Sequence, residues 1–296
     1  MSAPNGTLPL LHLMCAADRN YGAYAGLVMQ SAMSVTRKSK IHFHLLSDNV
    51  SPGDIEKCQA VARNSGNDFS VYEVSTKLTN LPKVLKMANH ISRAAYSRLL
   101  FSDLLPQDVR QIIYLDCDVV CRRDLTELWQ SAPTIDIIGA VRDPWLDPDP
   151  NLKASLGLAP NQTYFNSGVL LINVDAWRAE ATEAKLCAFI SARLDIKHAD
   201  QDTLNAVLSS RLTELPEKWN TMVNHPRQED ERSLRDSAAI LHYVGGFKPW
   251  HFGYSIAHPK KGYPYAAVKR SSPWKSKLPD FQLRRVKKKL QSLVRT

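Results

Sequence analysis

The stretch Ile112-Ile113-Tyr114-Leu115-Asp116-Cys117-Asp118-Val119-Val120 constrains this chain more than any other. Four apolar or aromatic residues in succession predict a strand buried on both faces. That strand runs directly into two carboxylates spaced i, i+2. Residues two apart in extended chain point to the same side, so Asp116 and Asp118 can converge on one point. Two acids leaving an apolar strand repel each other unless a positive charge lies between them. Hard carboxylate oxygens suit Mg²⁺ or Mn²⁺. Asp-x-Asp is a short pattern, and two solvated acids at a strand end are its alternative reading.

Upstream, Leu8 to Ala16 reads as a first strand, and Tyr24 to Val35 carries Ala25, Val28, Met29, Ala32 and Val35 at helical spacing. Ile41 to Leu46 is a second strand. Ser51 caps a helix with Pro52 in its first turn, running to about Arg63. Asp68 to Val74 is a third strand. This alternation predicts an α/β fold with a mainly parallel sheet. Ligands in such sheets gather beyond the carboxyl ends of the strands, where Asp18, Asn20, Asp116 and Asp118 all fall. The dinucleotide fingerprint G-x-G-x-x-G and the phosphate loop G-x-x-x-x-G-K-[ST] are both missing. That argues against nicotinamide-dependent oxidoreductases and P-loop enzymes.

Further along, Ser92 to Leu100 looks helical, and its Arg98 is either a solvated charge or a group reaching a phosphate or carboxylate. Asp124 to Trp129 starts a short helix, Ile135 to Val141 is another buried strand, and the Pro- and Asp-rich segment 143–161 has a short helix near Lys153. Phe165 to Val174 is a strand whose Gly168 lets another group approach closely. Asp175 to Leu194 is helical. Asp200 to Asn205 begins the next helix, where Asp200 and Asp202 would ordinarily cap and complement the dipole. His242 to Trp250 closes the patterned region. His242 alone reads as a structural residue, whereas Gly245, Gly246 and Lys248 offer amides and a cation suited to phosphate.

These blocks, taken in order, resemble glycosyltransferase family 8, a retaining group that includes glycogenin and bacterial lipopolysaccharide galactosyl- and glucosyltransferases. The matching pieces are Ala17 to Tyr21, Ala95 to Arg98, Tyr114 to Asp118, Phe165 to Asn173, Asp200 to Asn205 and His242 to Trp250. The resemblance covers roughly residues 10 to 255. It implies one GT-A-type domain, set at residues 8–257, that binds a UDP-hexose with Mn²⁺ or Mg²⁺. By matching position, Asp18 and Asn20 would hold uridine and ribose, and Asp116, Asp118 and His242 would ligate the metal. An imidazole ligand tilts that choice toward Mn²⁺. Gly245 and Lys248 would bind the diphosphate. Arg98, Asn166 and Asp200 would contact the donor sugar, Gln201 would lie beneath the anomeric carbon, and Asp143 would face the acceptor. Gln201 is a weak nucleophile because its amide oxygen is neutral. Same-face attack is therefore preferred to double displacement, with Asp202 a nucleophile only if it reaches the sugar.

Charge separates the chain in two. From His258 onward there are twelve Lys and Arg against one acid, Asp280, more than the whole-chain excess of +9. The rest is slightly acidic. Residues 258–296 thus read as a basic tail seeking an anionic partner. Leu283, Val286, Leu290, Leu293 and Val294 fall at helical spacing, so the tail is expected to dock on an anionic membrane, aided by Trp274 and Phe281. Nucleic acid is the competing partner, and the body carries no nucleic-acid module. No run of eighteen apolar residues occurs, the first nine residues lack a basic segment, and Cys15, Cys58 and Cys187 sit in apolar patterns. The expectation is a cytoplasmic enzyme peripheral to the inner face of the cell membrane, presented with a lipid-linked saccharide acceptor. Two other readings are a haloacid-dehalogenase-like phosphatase, lacking its later Gly-Asp-x-x-x-Asp pair here, and a non-catalytic sugar-nucleotide or lipid-binding module.

Overall fold

The computed structural model describes residues 8–79, 93–193, 196–223 and 237–281. A seven-stranded sheet organises them, in the order β3-β2-β1-β4-β7-β6-β8. Its strands are β1 (Leu10–Asp18), β2 (Lys40–Asp48), β3 (Asp68–Glu73), β4 (Gln111–Leu115), β6 (Ile138–Arg142), β7 (Phe165–Asn173) and β8 (Leu212–Glu214). A second sheet orders β5 (Val119–Cys121), β10 (Ile240–Tyr243) and β9 (Thr221–Val223) as β5-β10-β9. The large sheet is mainly parallel, as expected for a GT-A-like α/β fold. Only β7 runs against both neighbours, β4 and β6.

The order places a crevice. From β1 the chain builds outward through β2 to β3, then returns to β4 on the other side of β1. That reversal opens a gap beyond the carboxyl ends of β1 and β4, the topological switch point of an open α/β sheet. β1 and β4 pair in parallel with Leu13 opposite Ile113, so Asp18 and the 116–118 turn end up at the same edge. Antiparallel β7 sets its first residues there too, with Val169 opposite Leu115.

Helices cover both faces. Helix α1 (Gly22–Val35) is buried almost all round, while α2 (Pro52–Asn64) packs one side only. Ser51 caps α2 by accepting from the Asp54 amide, with Pro52 in the first turn, as its sequence indicated. The segment expected as one helix from Asp175 breaks at Ala181, which takes a left-handed φ of 49° between α3 (Val174–Ala179) and α4 (Thr182–Ala192). The Arg98 segment is a 3₁₀ turn over Arg93–Leu99 rather than an α-helix.

Packing continues past the boundary expected at residue 257. Helix Pro259–Arg270 sends Tyr265 into the main core, and Trp274, 2% exposed, packs closely against Gly26 of α1. A Cβ at Gly26 would meet the indole at 2.1 Å, so glycine is required there. Trp274 also donates its indole N–H to Asp54 at 2.7 Å. Asp280 accepts from the Tyr24 hydroxyl at 2.5 Å and pairs its backbone with Trp250 and Phe252. The body therefore extends to Phe281. Trp274 is a core residue and not the membrane anchor its position in a basic stretch implied. The amphipathic stretch 283–294 lies outside the described residues. Among the described residues no helix is long and apolar enough to cross a membrane.

Candidate active site

A cleft of about 180 Å³ lies at the switch point, lined by Asp18, Tyr21, Arg98, Tyr114, Asp116, Asp118 and Lys248 among others. Asp116 leaves β4 with its amide bonded to the Gly168 carbonyl at 2.8 Å. One carboxylate oxygen accepts from the Tyr114 hydroxyl at 2.8 Å and from Arg98 at 2.6 Å. Asp118 follows at the start of β5, which pairs antiparallel with β10 so that Val119 stands opposite His242.

The His242 ring is held by packing and by hydrogen bonds of fixed direction. Gly168 makes room for it: a Cβ there would lie 2.2 Å from the imidazole. The Gly168 amide can only donate, and it donates to Asn166 Oδ1 at 3.0 Å. Asn166 Oδ1 also accepts from Asn220 Nδ2 at 2.9 Å. That leaves Asn220 Oδ1 as an acceptor for His242 Nδ1, 2.9 Å away. The single proton of a neutral imidazole is thereby fixed on Nδ1. Nε2 turns a bare lone pair toward Asp118 Oδ1 at 3.1 Å and Asp116 Oδ2 at 4.0 Å.

Such an arrangement can hold a further cation beside Lys248 and Arg98. Asp118 Oδ1 is buried and receives no hydrogen bond from the chain, and Nε2 in this tautomer cannot supply one. Burial works to raise the Asp118 pKa, but the ammonium of Lys248 counters it, and the carboxyl is held well below the usual range. Lys248 bonds the other Asp118 oxygen and the Tyr243 carbonyl. Two carboxylates and one imidazole nitrogen within 4.8 Å of one another fit a divalent ion such as Mn²⁺.

Arg98 joins this group to a second. Its side chain is buried, 7% exposed, and bonds Asp116 at 2.6 Å, Asp200 at 3.0 Å and the Ser167 carbonyl at 2.9 Å. The guanidinium also lies over the Tyr114 ring, 4.6 Å from its centre. Asp200, in the first turn of α5 (Ala199–Leu208), is pushed up to about 6 by burial, against the pull of Arg98 and with a further push from Asp116. Gln201 accepts from the Ser167 amide at 3.1 Å and donates to Asp143 Oδ2 at 3.2 Å. Asn166 donates to that same oxygen at 3.2 Å.

The family model described as Glycosyl transferase family 8 matches residues 12–253, most of the chain. The chain belongs to this glycosyltransferase family. It is 28% identical to the lipopolysaccharide 1,2-glucosyltransferase of Escherichia coli K12, over 92% of this chain and 81% of that one. General stress protein A of Bacillus subtilis is 26% identical over 82% of this chain and 88% of its own length. Among solved structures, the galactosyltransferase LgtC in complex with donor and acceptor sugar analogues superposes with a TM-score of 0.77. It is 26% identical and covers 90% of this chain and 100% of LgtC.

The residues expected from the family pattern fall into place unevenly. Asp116, Asp118 and His242 converge, as do Arg98, Asp200, Gln201, Asn166 and Asp143. Arg98, which could have been a solvated helix charge, is a buried bridge. Asp18 lines the cleft, and its carboxylate accepts from the amides of Asn20 and Tyr21, shaping the entry to α1. Asn20 stands in the exposed turn beside it. Gly245 has a φ of 79°, a conformation suited to glycine, and a Cβ there would meet nothing.

Asp202 is not brought to the cluster. One oxygen accepts from Tyr164 at 2.6 Å and the other from the amides of Lys197 and His198 at 3.0 and 2.8 Å. Two residues along a helix point to different faces, and in this structure the Asp202 carboxylate ties down the turn before α5. Three contributors escaped the sequence. Asn220 lies in no recognisable block, Ser167 had no assigned role, and Tyr114 read only as a strand aromatic although its hydroxyl grips Asp116.

Proposed function

We propose that this glycosyltransferase is a retaining hexosyltransferase that moves galactose or glucose from a UDP-hexose to a saccharide acceptor, with Mn²⁺ or Mg²⁺. The observation that carries this reading is the convergence of Asp116, Asp118 and the Nε2 lone pair of His242 at the carboxyl ends of β1 and β4, with Asp118 Oδ1 receiving no hydrogen bond. A divalent ion held there would stabilise the negative charge that develops on the departing diphosphate. The remaining work falls to the chain itself.

Lys248 lies at the same cleft and can exchange Asp118 for a diphosphate oxygen, so that one ammonium serves both states. Gln201 keeps its amide oxygen oriented through Ser167 and Asp143, which suits it to face an electron-poor anomeric carbon without bonding to it. Asp200, tied to Arg98, supplies carboxylate charge near an oxocarbenium-like state. With Asp202 committed elsewhere, same-face attack fits the available groups better than double displacement.

We assign the acceptor to lipopolysaccharide or another lipid-linked glycan, on the strength of the E. coli relative named a lipopolysaccharide 1,2-glucosyltransferase. The enzyme would work at the cytoplasmic face of an anionic membrane. Phe252, Ile256, Tyr263, Leu278 and Phe281 are exposed on the same C-terminal region that carries Lys260, Lys261, Lys275 and Lys277. A donor screen that follows UDP release, with acceptor sugars and lipid-linked oligosaccharides, tests the reading. UDP release with sugar transfer is expected. Release of inorganic phosphate would return the phosphatase reading, and binding without UDP release the non-catalytic one.

A further inference from the structure

A second histidine cluster sits at the other end of β1, where the transfer chemistry does not reach. His12 on β1 pairs in register with His42 on β2, and His44 lies two residues further along β2 on the same face. Six residues of strand separate His12 from Asp18, roughly 20 Å at 3.3 Å per residue. His12 Nδ1 and His44 Nε2 are 2.9 Å apart, and the rings of His42 and His44 stack with centres 4.1 Å apart. One nitrogen from each ring lies within 4.8 Å of the other two.

Three imidazoles on a half-buried sheet face are costly unless their polar atoms are used. His44 is completely buried, and burial holds its pKa down at about 2; burial also lowers His12 and His42. All three rings are therefore neutral near pH 7, each with one N–H and one lone pair. The outward atoms already have partners. His44 Nδ1 meets the Tyr72 hydroxyl at 3.0 Å and His42 Nε2 meets Ser70 at 2.8 Å. Metal-bound imidazoles characteristically pass their second N–H to such an oxygen, which fixes the ring. Asp108 is close enough to act on both His12 and His42, adding negative charge on this side.

We propose that His12, His42 and His44 form a second metal site, for Zn²⁺, with a fourth position open to water. Three nitrogen ligands select a borderline dication over the Mg²⁺ or Mn²⁺ suited to the oxygen-rich Asp116, Asp118 and His242 set. The proton inventory balances. In the metal-free chain one proton lies between His12 Nδ1 and His44 Nε2. On binding, His44 carries its proton on Nδ1 and donates it to Tyr72, His12 keeps its own on Nε2, and no ring loses charge neutrality. The ion would tie β1 to β2 at the end of the sheet remote from the donor.

The test is Zn²⁺ titration of the untagged full chain by calorimetry, with histidine ring nitrogens followed by long-range ¹H–¹⁵N NMR. In wild type, Zn²⁺ should shift the His12 and His44 ring signals, and Asp118→Asn should leave those shifts intact. His42→Ala, chosen because that ring is half-exposed, should weaken this binding event at least about 100-fold while UDP-sugar hydrolysis is retained. Zn²⁺ affinity and stoichiometry unchanged by His42→Ala, or wild-type ring signals that Zn²⁺ does not move, would overturn the site. The NMR measurement needs no variant and decides the question even where a substitution unfolds the chain.

Discussion

Asn220 Oδ1 stands 2.9 Å from His242 Nδ1 and decides which nitrogen of that ring faces the two acids. The direction of the bond is inherited from the Gly168 amide through Asn166, so backbone geometry fixes a side-chain tautomer. Outer partners of metal-binding histidines matter in this way because they set ring orientation and basicity.

Asn220→Leu removes the acceptor and should weaken Mn²⁺ binding by about 10- to 100-fold, the scale for losing such a partner. Electron paramagnetic resonance of free Mn²⁺ measures it without reference to turnover. Asn220→Asp keeps an acceptor at Nδ1 and should retain more affinity than the leucine variant. Equal affinities for wild type and Asn220→Leu would show that the ring does not depend on this bond.

Asp200 gives a pH signature. Its carboxyl is pushed up to about 6, above the ordinary 3.8. Between those values the folded chain holds a proton that the unfolded chain has lost, so stability falls as pH rises through that window. The shift corresponds to at most about 3 kcal/mol. Asp200→Asn should flatten this part of the profile and gain stability relative to wild type above pH 6, while losing transfer rate. Chemical denaturation at pH 4.5 and pH 7 checks it; a wild-type and variant difference that does not change with pH would refute the assignment.

Much of this architecture was legible beforehand. Alternating strands and helices announced a parallel sheet, and the apolar run into Asp116 and Asp118 announced the crevice, because buried strands and converging acids are local patterns. The antiparallel β7 was not legible, since a strand's direction depends on where its partner lies. Nor was the fate of Asp202: Asp200 and Asp202 look alike in sequence, and only the surrounding Tyr164 and the 197–198 amides distinguish them. Charge counting misjudged the C-terminal region, because Trp274 packs on Gly26 and Tyr265 enters the main core, neither of which composition reveals.

Truncation tests the docking of the C-terminal stretch on an anionic membrane. Deletion after Lys277 would remove Asp280 and its bonds to Tyr24, Trp250 and Phe252, damaging the body. Deletion after Phe281 removes 282–296 alone, with six of the basic residues. Each basic residue near an anionic surface contributes on the order of 1 kcal/mol, so sedimentation with anionic vesicles should fall sharply while donor hydrolysis persists. Undiminished vesicle binding by the truncated chain would place the anchor elsewhere.

Retention of configuration is the expectation that comes with the proposed same-face attack. An α-linked UDP-hexose should yield an α-linked initial product, read from the anomeric coupling in proton NMR. A β-linked first product would mean that the acceptor attacks from the opposite face.

On the function proposed above, Asp116, Asp118 and His242 hold a divalent ion on which transfer depends. The direct measurement is the rate of UDP release from a UDP-hexose with excess EDTA, followed by restoration of Mn²⁺. The rate should drop by at least about 10²-fold, the scale of losing a charge-stabilising group, and recover on adding the metal. Full activity in EDTA would contradict it.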